Sequence, residues 1–232
     1  MLRILPRTLI ALALCSAAFA EDAAALQKQI SEKAKGIKSL RCKMVQKMDM
    51  SNEQFKMSSE SEGTMEFVRK SDKVSLMRME NKGKSIMDMA GQKNETATEQ
   101  LVVSDGEYTY SLTDQMGVKN AMKMKQPPSD PSDVEAVMKD FDLKVLPEEK
   151  VDGKDCWVIE MTPKAGTPQA ASGGKSVNYY RKDCGWIAKT VVMTPEGKTM
   201  MTMEYKDIEI DPTIDPSRFV FTAPPGVTVQ EG

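Results

Sequence analysis

Methionine pairs separated by a single residue are the feature of this sequence most capable of chemistry. The pairs are Met48/Met50, Met77/Met79, Met87/Met89 and Met122/Met124. Thioether sulfur is a soft ligand that suits Cu(I), so these pairs could form a copper site. Such sites usually add His or Cys, and the sequence has no His and only Cys42 nearby. A Met-rich copper-binding module is therefore an alternative rather than the main prediction.

Strand alternation explains the same spacing through packing, because every second side chain of a strand lies on one face. Segments between Arg41 and Ala90 alternate Met or Phe with mostly polar residues. Met is flexible and polarisable, and it suits surfaces that bind ligands of varying shape. The pattern leaves open whether this face is a sealed core or a binding site. The candidate binding residues are Met44, Met48, Met65, Phe67, Met77, Met79, Met87 and Met89.

Catalytic and nucleic-acid-binding functions are not indicated. The absence of His removes the commonest general base and metal ligand. No Gly-rich phosphate loop or G-x-S-x-G motif occurs, and the carboxylates lie mainly in turns or at alternating polar positions. A formal net charge of -2 gives no basic surface for nucleic acid. We expect a protein that is not an enzyme and needs no cofactor.

The first 20 residues are typical of a secretory signal peptide. Arg3 and Arg7 precede the apolar run Leu9 to Leu14, and Ala18-Phe19-Ala20 matches an A-x-A cleavage signal. Cleavage after Ala20 would release residues 21–232 as one exported domain. Lipid attachment at Cys15 is a competing interpretation, although the large Leu14 precedes that residue.

Three cysteines remain after such a cleavage, and export permits disulfides. Cys156 begins one predicted strand and Cys184 lies in the turn after the next, so both fall at the same end of an antiparallel pair. The sequence favours a Cys156–Cys184 disulfide, with Cys42 as a buried free thiol.

The elements that position these residues predict a mainly β fold of the α+β class. An apolar stripe predicts a helix from Asp22 to Ser39, and ten or eleven strands joined by tight turns follow. Successive hairpins predict one strongly curved antiparallel sheet or incomplete β-barrel.

A second, short helix is predicted after Pro131, with Asp130 as its N-cap. It is either a packing element or a lid over the methionine face. The apolar residues of this predicted lid are Val134, Val137, Met138 and Phe141.

The closing segment from Asp215 to Val227 resembles that of the LolA family of outer-membrane lipoprotein carriers. Three further segments agree with that family in order: the helix and first strand from Leu26 to Met44, the turn from Val102 to Gly106, and the hairpin from Trp186 to Ile210. The resemblance spans nearly all of residues 21–232.

The resemblance implies an incomplete β-barrel closed by helices, with an apolar cavity for acyl chains. It also implies a monomeric periplasmic carrier of lipoproteins. The implied partners are lipoprotein acyl chains or other lipids, an inner-membrane transporter that releases lipoproteins, and an outer-membrane acceptor.

One position departs from the family pattern, in which an Arg followed by Pro ends strand 2 and bonds the lid. Here Lys70 falls at the gating position, Arg69 precedes it, and Ser71 replaces the Pro. A Lys cannot make the forked, multi-donor contact of an Arg. Related folds bind other lipids or sense envelope stress, so a lipid- or lipoprotein-binding stress sensor is the other alternative.

Overall fold

A computed structural model describes residues 11–51, 55–71, 74–89, 91–125, 134–167, 170 and 174–232. Within its two helices, side chains are described from Ala23 in the first and from Val137 in the second. None of the helices in these ranges is both long and apolar enough to cross a membrane.

Two helices and one large sheet make up most of the described chain. Helix α1 is Ala11–Lys35 and helix α2 is Val134–Asp140. The strands are β1 Ser39–Ser51, β2 Phe55–Ser71, β3 Val74–Met89, β4 Gln92–Ser104, β5 Tyr108–Gln115, β6 Val118–Lys125, β7 Phe141–Val151, β8 Lys154–Pro163, β9 Lys175–Arg181, β10 Ile187–Met193, β11 Thr199–Ile210 and β12 Val229–Glu231.

The spatial order of the strands is β12-β6-β5-β4-β3-β2-β1-β11-β10-β9-β8-β7. Strands β12 and β7 lie at opposite ends of this order, so the sheet is not closed into a barrel. The incomplete barrel predicted from the sequence is confirmed. The strand number was slightly too low, because the sheet has twelve strands. Its last strand runs parallel to β6, which makes the sheet mixed.

Strand β2 begins at Phe55 and includes the polar residues 58–64, whose composition is typical of a loop. Hydrogen bonding to β1 on one side and β3 on the other satisfies its backbone. Cross-strand ion pairs accompany the sheet pairing, with Lys47 of β1 bonding Glu60 of β2 at 3.1 Å and Lys84 of β3 bonding Glu95 of β4 at 2.8 Å. A paired strand that is rich in polar and charged residues can therefore look like a loop in the sequence.

Two glycines allow β2 and β3 to approach each other closely. A Cβ atom on Gly63 would lie 1.9 Å from the carbonyl oxygen of Glu80. A Cβ atom on Gly83 would lie 2.6 Å from the carbonyl oxygen of Glu60. No side chain fits at either position, which is typical of glycine where one strand crosses near another backbone.

The predicted N-terminal helix is present, but it begins at Ala11 rather than Asp22 and ends at Lys35 rather than Ser39. Gly36 follows immediately, and its amide donates to the Lys33 carbonyl in a tight turn. The predicted lid helix is also present, but Phe141 does not belong to it. Phe141 is the first residue of β7, where it pairs with Pro163 of β8.

The chain after β11 packs on the opposite sheet face from α1. Arg218 lies in a 3₁₀ turn, Pro216–Phe219, and its guanidinium bonds Glu66 at 2.8 Å and Glu80 at 3.2 Å. The Phe221 ring then stacks on Tyr110 with their centroids 5.0 Å apart. The segment that suggested the family resemblance therefore covers the outer side of the sheet.

Candidate functional site

The candidate site lies on the face of the sheet that carries the alternating methionines, here called the inner face. Pairing aligns Cys42 with Met65 and Leu40 with Phe67, and it aligns Met65 and Phe67 with Met79 and Met77. Strand alternation thus brings residues from three strands onto one face, as the spacing predicted.

The inner face is divided into a buried part and an open part. Met44, Met65 and Phe67 are buried in a core with Ile37 and Leu40. Met77 and Met79 are half-buried against this core. Met48 is half-exposed, and the side chains of Met87 and Met89 are 39% and 54% exposed. The predicted binding residues therefore do not form a single pocket, and their role as ligand contacts stays a prediction.

A cavity of about 200 Å³ lies beside this core, between the inner face and the two helices. Helix α1 supplies Gln27, Ile30, Ser31 and Ala34, and helix α2 supplies Val137. The sheet side is formed by residues from several strands and turns: Arg69, Met161, Tyr180, Gly185, Trp186 and Ile187. The lining is mostly apolar, and its volume is below the roughly 300–1,000 Å³ of ordinary ligand pockets.

Trp186 connects the cavity to the methionine core. Its ring lies 5.5 Å from the Phe67 ring, centroid to centroid, and it packs against the buried cluster of the inner face. The turn before Trp186 also holds α1, because a Cβ atom on Gly185 would lie 2.5 Å from the carbonyl oxygen of Ile30. Only glycine permits this close contact between the turn and the helix.

Arg69 joins the end of β2 to the end of α1 at the edge of the cavity. Its Nε donates to the Ile37 carbonyl at 3.2 Å, and its Nη2 donates to the Ala34 carbonyl at 3.3 Å. The same guanidinium lies 5.5 Å from the Phe67 ring centroid. Lys70, which occupies the gating position of the family pattern, is exposed. Arg69 is thus the residue of this pair that holds a helix.

The short helix α2 closes one side of the cavity. Val137 and Met138 are half-buried, while the side chain of Val134 lies outside the described residues. Lys164 Nζ donates to the Met138 carbonyl at 2.6 Å, which ties α2 to the chain after β8. Phe141 is half-buried at the start of β7 and can act only as a neighbour of the lid.

Burial affects polar groups on three residues of the cavity lining. Burial raises the pKa of the Tyr180 hydroxyl to about 12, so this hydroxyl stays neutral at physiological pH. Gln27 Oε1 and Trp186 Nε1 are buried without a hydrogen-bond partner among the described residues. An unpaired buried polar atom costs about 1–3 kcal/mol. Two residues of the mostly apolar cavity lining therefore carry an unused acceptor and an unused donor.

The cysteine prediction needs a correction. Cys42, Cys156 and Cys184 are all buried free thiols, so the predicted Cys156–Cys184 disulfide is not formed. The strand register places Arg181, rather than Cys184, opposite Cys156. Burial raises the pKa of Cys156 and of Cys184, and it raises that of Cys42 to about 12. The predicted burial of Cys42 is confirmed.

The described residues contain no cluster of three or more His, Cys, Asp or Glu side chains that could hold a metal ion. The methionine pairs differ in their surroundings, since Met77 and Met79 pack on the core while Met87 and Met89 are exposed. Thioether ligation of copper stays a prediction.

Sequence reasoning missed Gln27, Met161, Tyr180 and Trp186 as cavity residues. A signal for Gln27 was present, because Gln27, Ile30, Ser31 and Ala34 follow helical spacing and share one face of α1. Tyr180 and Trp186 flank one tight turn, whereas Met161 belongs to a different strand, and nothing in the sequence indicates that these residues meet Gln27.

Comparisons with known proteins add information about the fold. No family model matches the sequence, and neither does any curated protein. Among solved structures, MucB in the MucA/MucB complex of Pseudomonas aeruginosa matches with a TM-score of 0.54 and 15% identity, over 87% of this chain and 61% of that chain. An uncharacterised conserved protein from Thermus thermophilus matches with a TM-score of 0.53 and 8% identity, over 88% and 98% of the two chains.

A putative outer-membrane lipoprotein-sorting protein domain from Vibrio parahaemolyticus is more distant in structure. Its TM-score is 0.39 and its identity 14%, over 86% of this chain and 97% of that chain. The LolA-like fold predicted from the sequence is confirmed, and at these identities the likenesses concern the fold alone. The chain spans only about three fifths of the MucB chain.

Proposed function

We propose that this protein is a non-enzymatic carrier of lipidated molecules, which binds acyl chains between the inner face and helices α1 and α2. The observation that supports this function most strongly is the apolar cavity beneath the two helices. Each methylene group that leaves water for such a cavity contributes about 0.8 kcal/mol. The adjoining methionine core would adapt to chains of different shape, because methionine side chains are flexible.

Binding a whole acyl chain requires the cavity to enlarge, since about 200 Å³ is small for such a ligand. Helix α2 is the element suited to move. It has seven residues, fewer than an isolated helix needs to be stable, so its packing determines its position. An acyl chain that competes for the surface beneath Val137 would displace α2, which gives a closed and an open state.

Arg69 is assigned the gating contact in this proposal. Its two hydrogen bonds end on the Ala34 carbonyl in the last turn of α1 and on the Ile37 carbonyl just after α1, and it also lines the cavity. A forked guanidinium can hold both carbonyls at once, which a lysine could not do. Opening would therefore involve the end of α1 as well as α2.

The cellular role follows from the family resemblance and the N-terminal sequence. We infer that residues 1–20 direct export and are removed, and that the domain works in the periplasm. Its cargo would be lipoproteins sorted to the outer membrane, with a releasing transporter and an outer-membrane acceptor as partners.

A second candidate function is an envelope-stress sensor that binds lipids or lipoproteins on the same fold. The fold likeness to MucB, solved together with MucA, supports this candidate. A sensor would hold a protein partner and change that contact when a lipid binds, whereas a carrier would transfer the lipid to an acceptor. Transfer of a labelled lipopeptide to outer-membrane vesicles separates the two.

The decisive test is native mass spectrometry of the protein recovered from its own cell envelope. A co-purified lipid or lipopeptide is expected. The matched variants are Ala34→Leu, which fills part of the cavity, and Lys35→Leu, which changes the exposed next residue. Ala34→Leu should reduce the bound fraction and Lys35→Leu should not. Protein recovered with no lipid, or equal loading of both variants, would contradict the proposal.

A further inference from the structure

Two residues that line the cavity beneath the helices each carry a buried polar atom without a hydrogen-bond partner among the described residues, one an acceptor and the other a donor. Gln27 is only 7% exposed, and its Oε1 has no partner among the described residues. The indole Nε1 of Trp186 is likewise buried and unpartnered there. Both residues line the same cavity, one from α1 and the other from the turn before β10.

These atoms define the chemistry of a matching ligand. The indole N–H can only donate, so it requires an acceptor on the ligand. The Gln27 carbonyl oxygen can only accept, so it requires a donor on the ligand. Buried polar atoms are normally paired, and a ligand that meets both requirements avoids leaving either one unsatisfied.

The common linkages of acyl chains differ in this respect. An ester has acceptor oxygens but no donor, and an ionised carboxylate also has no donor. A secondary amide has one C=O and one N–H, which complement Trp186 and Gln27. A carboxylate would also place its negative oxygens against the oxygen of Gln27.

We propose that the cavity selects acyl chains attached through an amide over chains attached through an ester, by pairing the amide N–H with Gln27 and the amide C=O with Trp186. The inference rests on the proposed function, because it specifies the linkage of the acyl chain in the same cavity. It goes beyond that function by assigning selectivity to two named side chains.

The neighbouring residues support a neutral head group. Tyr180 stays uncharged because burial opposes its ionisation. The guanidinium of Arg69 is already directed to the Ile37 and Ala34 carbonyl oxygens. Met161 accepts a hydrogen bond from Asn178 at 2.9 Å, which fixes that wall of the cavity. A polar but uncharged ligand group matches this lining.

The test compares N-methyldecanamide with methyl decanoate, which differ at the linkage by N–H in place of O. Each compound displaces a fluorescent fatty acid from the full-length or processed protein at pH 7. We expect the amide to bind about tenfold more tightly than the ester. The amide gains one hydrogen bond to Gln27, whereas the ester leaves that buried acceptor unpaired.

Variants at the two positions separate the contacts. Gln27→Leu and Gln27→Met should abolish the amide preference while ester binding is retained or improved. Trp186→Phe should weaken both compounds by a similar factor, because both offer a carbonyl acceptor, and the preference for the amide should remain. Thermal unfolding of each variant shows that it is folded.

Equal binding of amide and ester by the unaltered protein would overturn the inference, since it would mean that the amide N–H does not pair with Gln27. That result would leave acyl-chain binding intact. Binding of neither compound, together with no binding of the fluorescent fatty acid, would overturn the proposed function as well. A preference that persists in both Gln27 variants would assign the selectivity to another residue and would contradict the inference.

Discussion

Arg69 donates a hydrogen bond from Nε to the carbonyl oxygen of Ile37 across 3.2 Å, joining the end of β2 to the chain just after α1. Phe67, two positions earlier on the same strand, lies under the same guanidinium and packs on Trp186. One side chain thus connects the helix, the methionine core and the cavity. In the proposed carrier, this arrangement would make Arg69 the point at which helix movement and ligand binding are coupled.

Arg69→Lys should loosen the end of α1, because an ammonium cannot hold two carbonyls with fixed forked geometry. We expect the free energy of unfolding to fall by about 1–2 kcal/mol, the scale of charged hydrogen bonds that are partly exposed. Fluorescent fatty acid should also dissociate faster in stopped-flow experiments. Lys70→Gln is the control, since Lys70 is exposed. Equal effects of the two substitutions would argue against a special role for Arg69.

Met65→Ala should destabilise the protein far more than Met89→Ala. Met65 is 6% exposed and Met89 is 54% exposed, although both belong to the alternating pattern. A buried Met→Ala change costs about 3 kcal/mol, whereas an exposed one costs within about 0.5 kcal/mol. Urea unfolding measures both values. Similar small costs would mean that the inner face is not sealed around Met65.

Cys42 should make the fold sensitive to alkali. Burial raises its pKa from 9.0 to about 12, so the folded state holds the thiol proton more tightly than the unfolded state. The stability it contributes is complete below pH 9 and is lost as pH rises from 9 towards 12. The slope from one such group is at most about 1.4 kcal/mol per pH unit.

The measurement is the free energy of unfolding between pH 8.5 and about 10.5. Cys42→Ala should show a shallower decline than the unaltered protein, even though its stability at pH 7 is lower. Tyr180, whose pKa is also raised to about 12, leaves a residual slope of the same sign. Identical slopes for the two proteins would show that Cys42 ionises as easily when folded as when unfolded.

Asp183 should stabilise the turn after β9 through Arg181. Their side chains form two hydrogen bonds, Nε to Oδ1 at 2.9 Å and Nη2 to Oδ2 at 2.5 Å, and these hold the pKa of Asp183 at about 2. The stabilisation is present above pH 3.8 and is lost as pH falls towards 2.

Asp183→Asn should lower stability at pH 7 by about 1 kcal/mol, a value reduced for solvent screening because the carboxylate is half-exposed. The difference between the variant and the unaltered protein should shrink below pH 3.8, which acid-unfolding curves measure. Asp155→Asn serves as a control with an exposed carboxylate. A difference that persists unchanged at pH 2 would assign the effect to packing.

Much of the fold followed from local patterns. Alternation placed Cys42, Met44, Met65 and Phe67 on one face, and the register of β1 and β2 confirms it. The full length of β2 was not predictable in the same way, because residues 58–64 include no apolar side chain and their strand conformation depends on pairing with both neighbours. Helical spacing likewise continued to Phe141, where pairing with Pro163 begins a strand instead.

Much less of the candidate site could be predicted from the sequence. Gln27, Met161 and Trp186 are far apart in the chain, and tertiary packing alone brings them to one cavity. The predicted disulfide between Cys156 and Cys184 was wrong, because two cysteines at the same end of a sheet need not lie opposite each other. The strand register places Arg181, not Cys184, opposite Cys156. The spacing of residues along the chain predicted the faces of the strands and helices. It did not predict which residues of separate elements contact each other.

The central claim, that acyl chains enter the cavity beneath α1 and α2, can be tested through its tryptophan. The sequence has two tryptophans, so Trp157→Phe leaves Trp186 in the cavity wall as the only one. Titration with a brominated fatty acid should quench this fluorescence strongly and saturably. Trp186→Phe retains Trp157, which lies under Lys33 rather than in the cavity lining, and should be quenched much less. Weak, non-saturating quenching of Trp186, or equal quenching of both variants, would contradict the account.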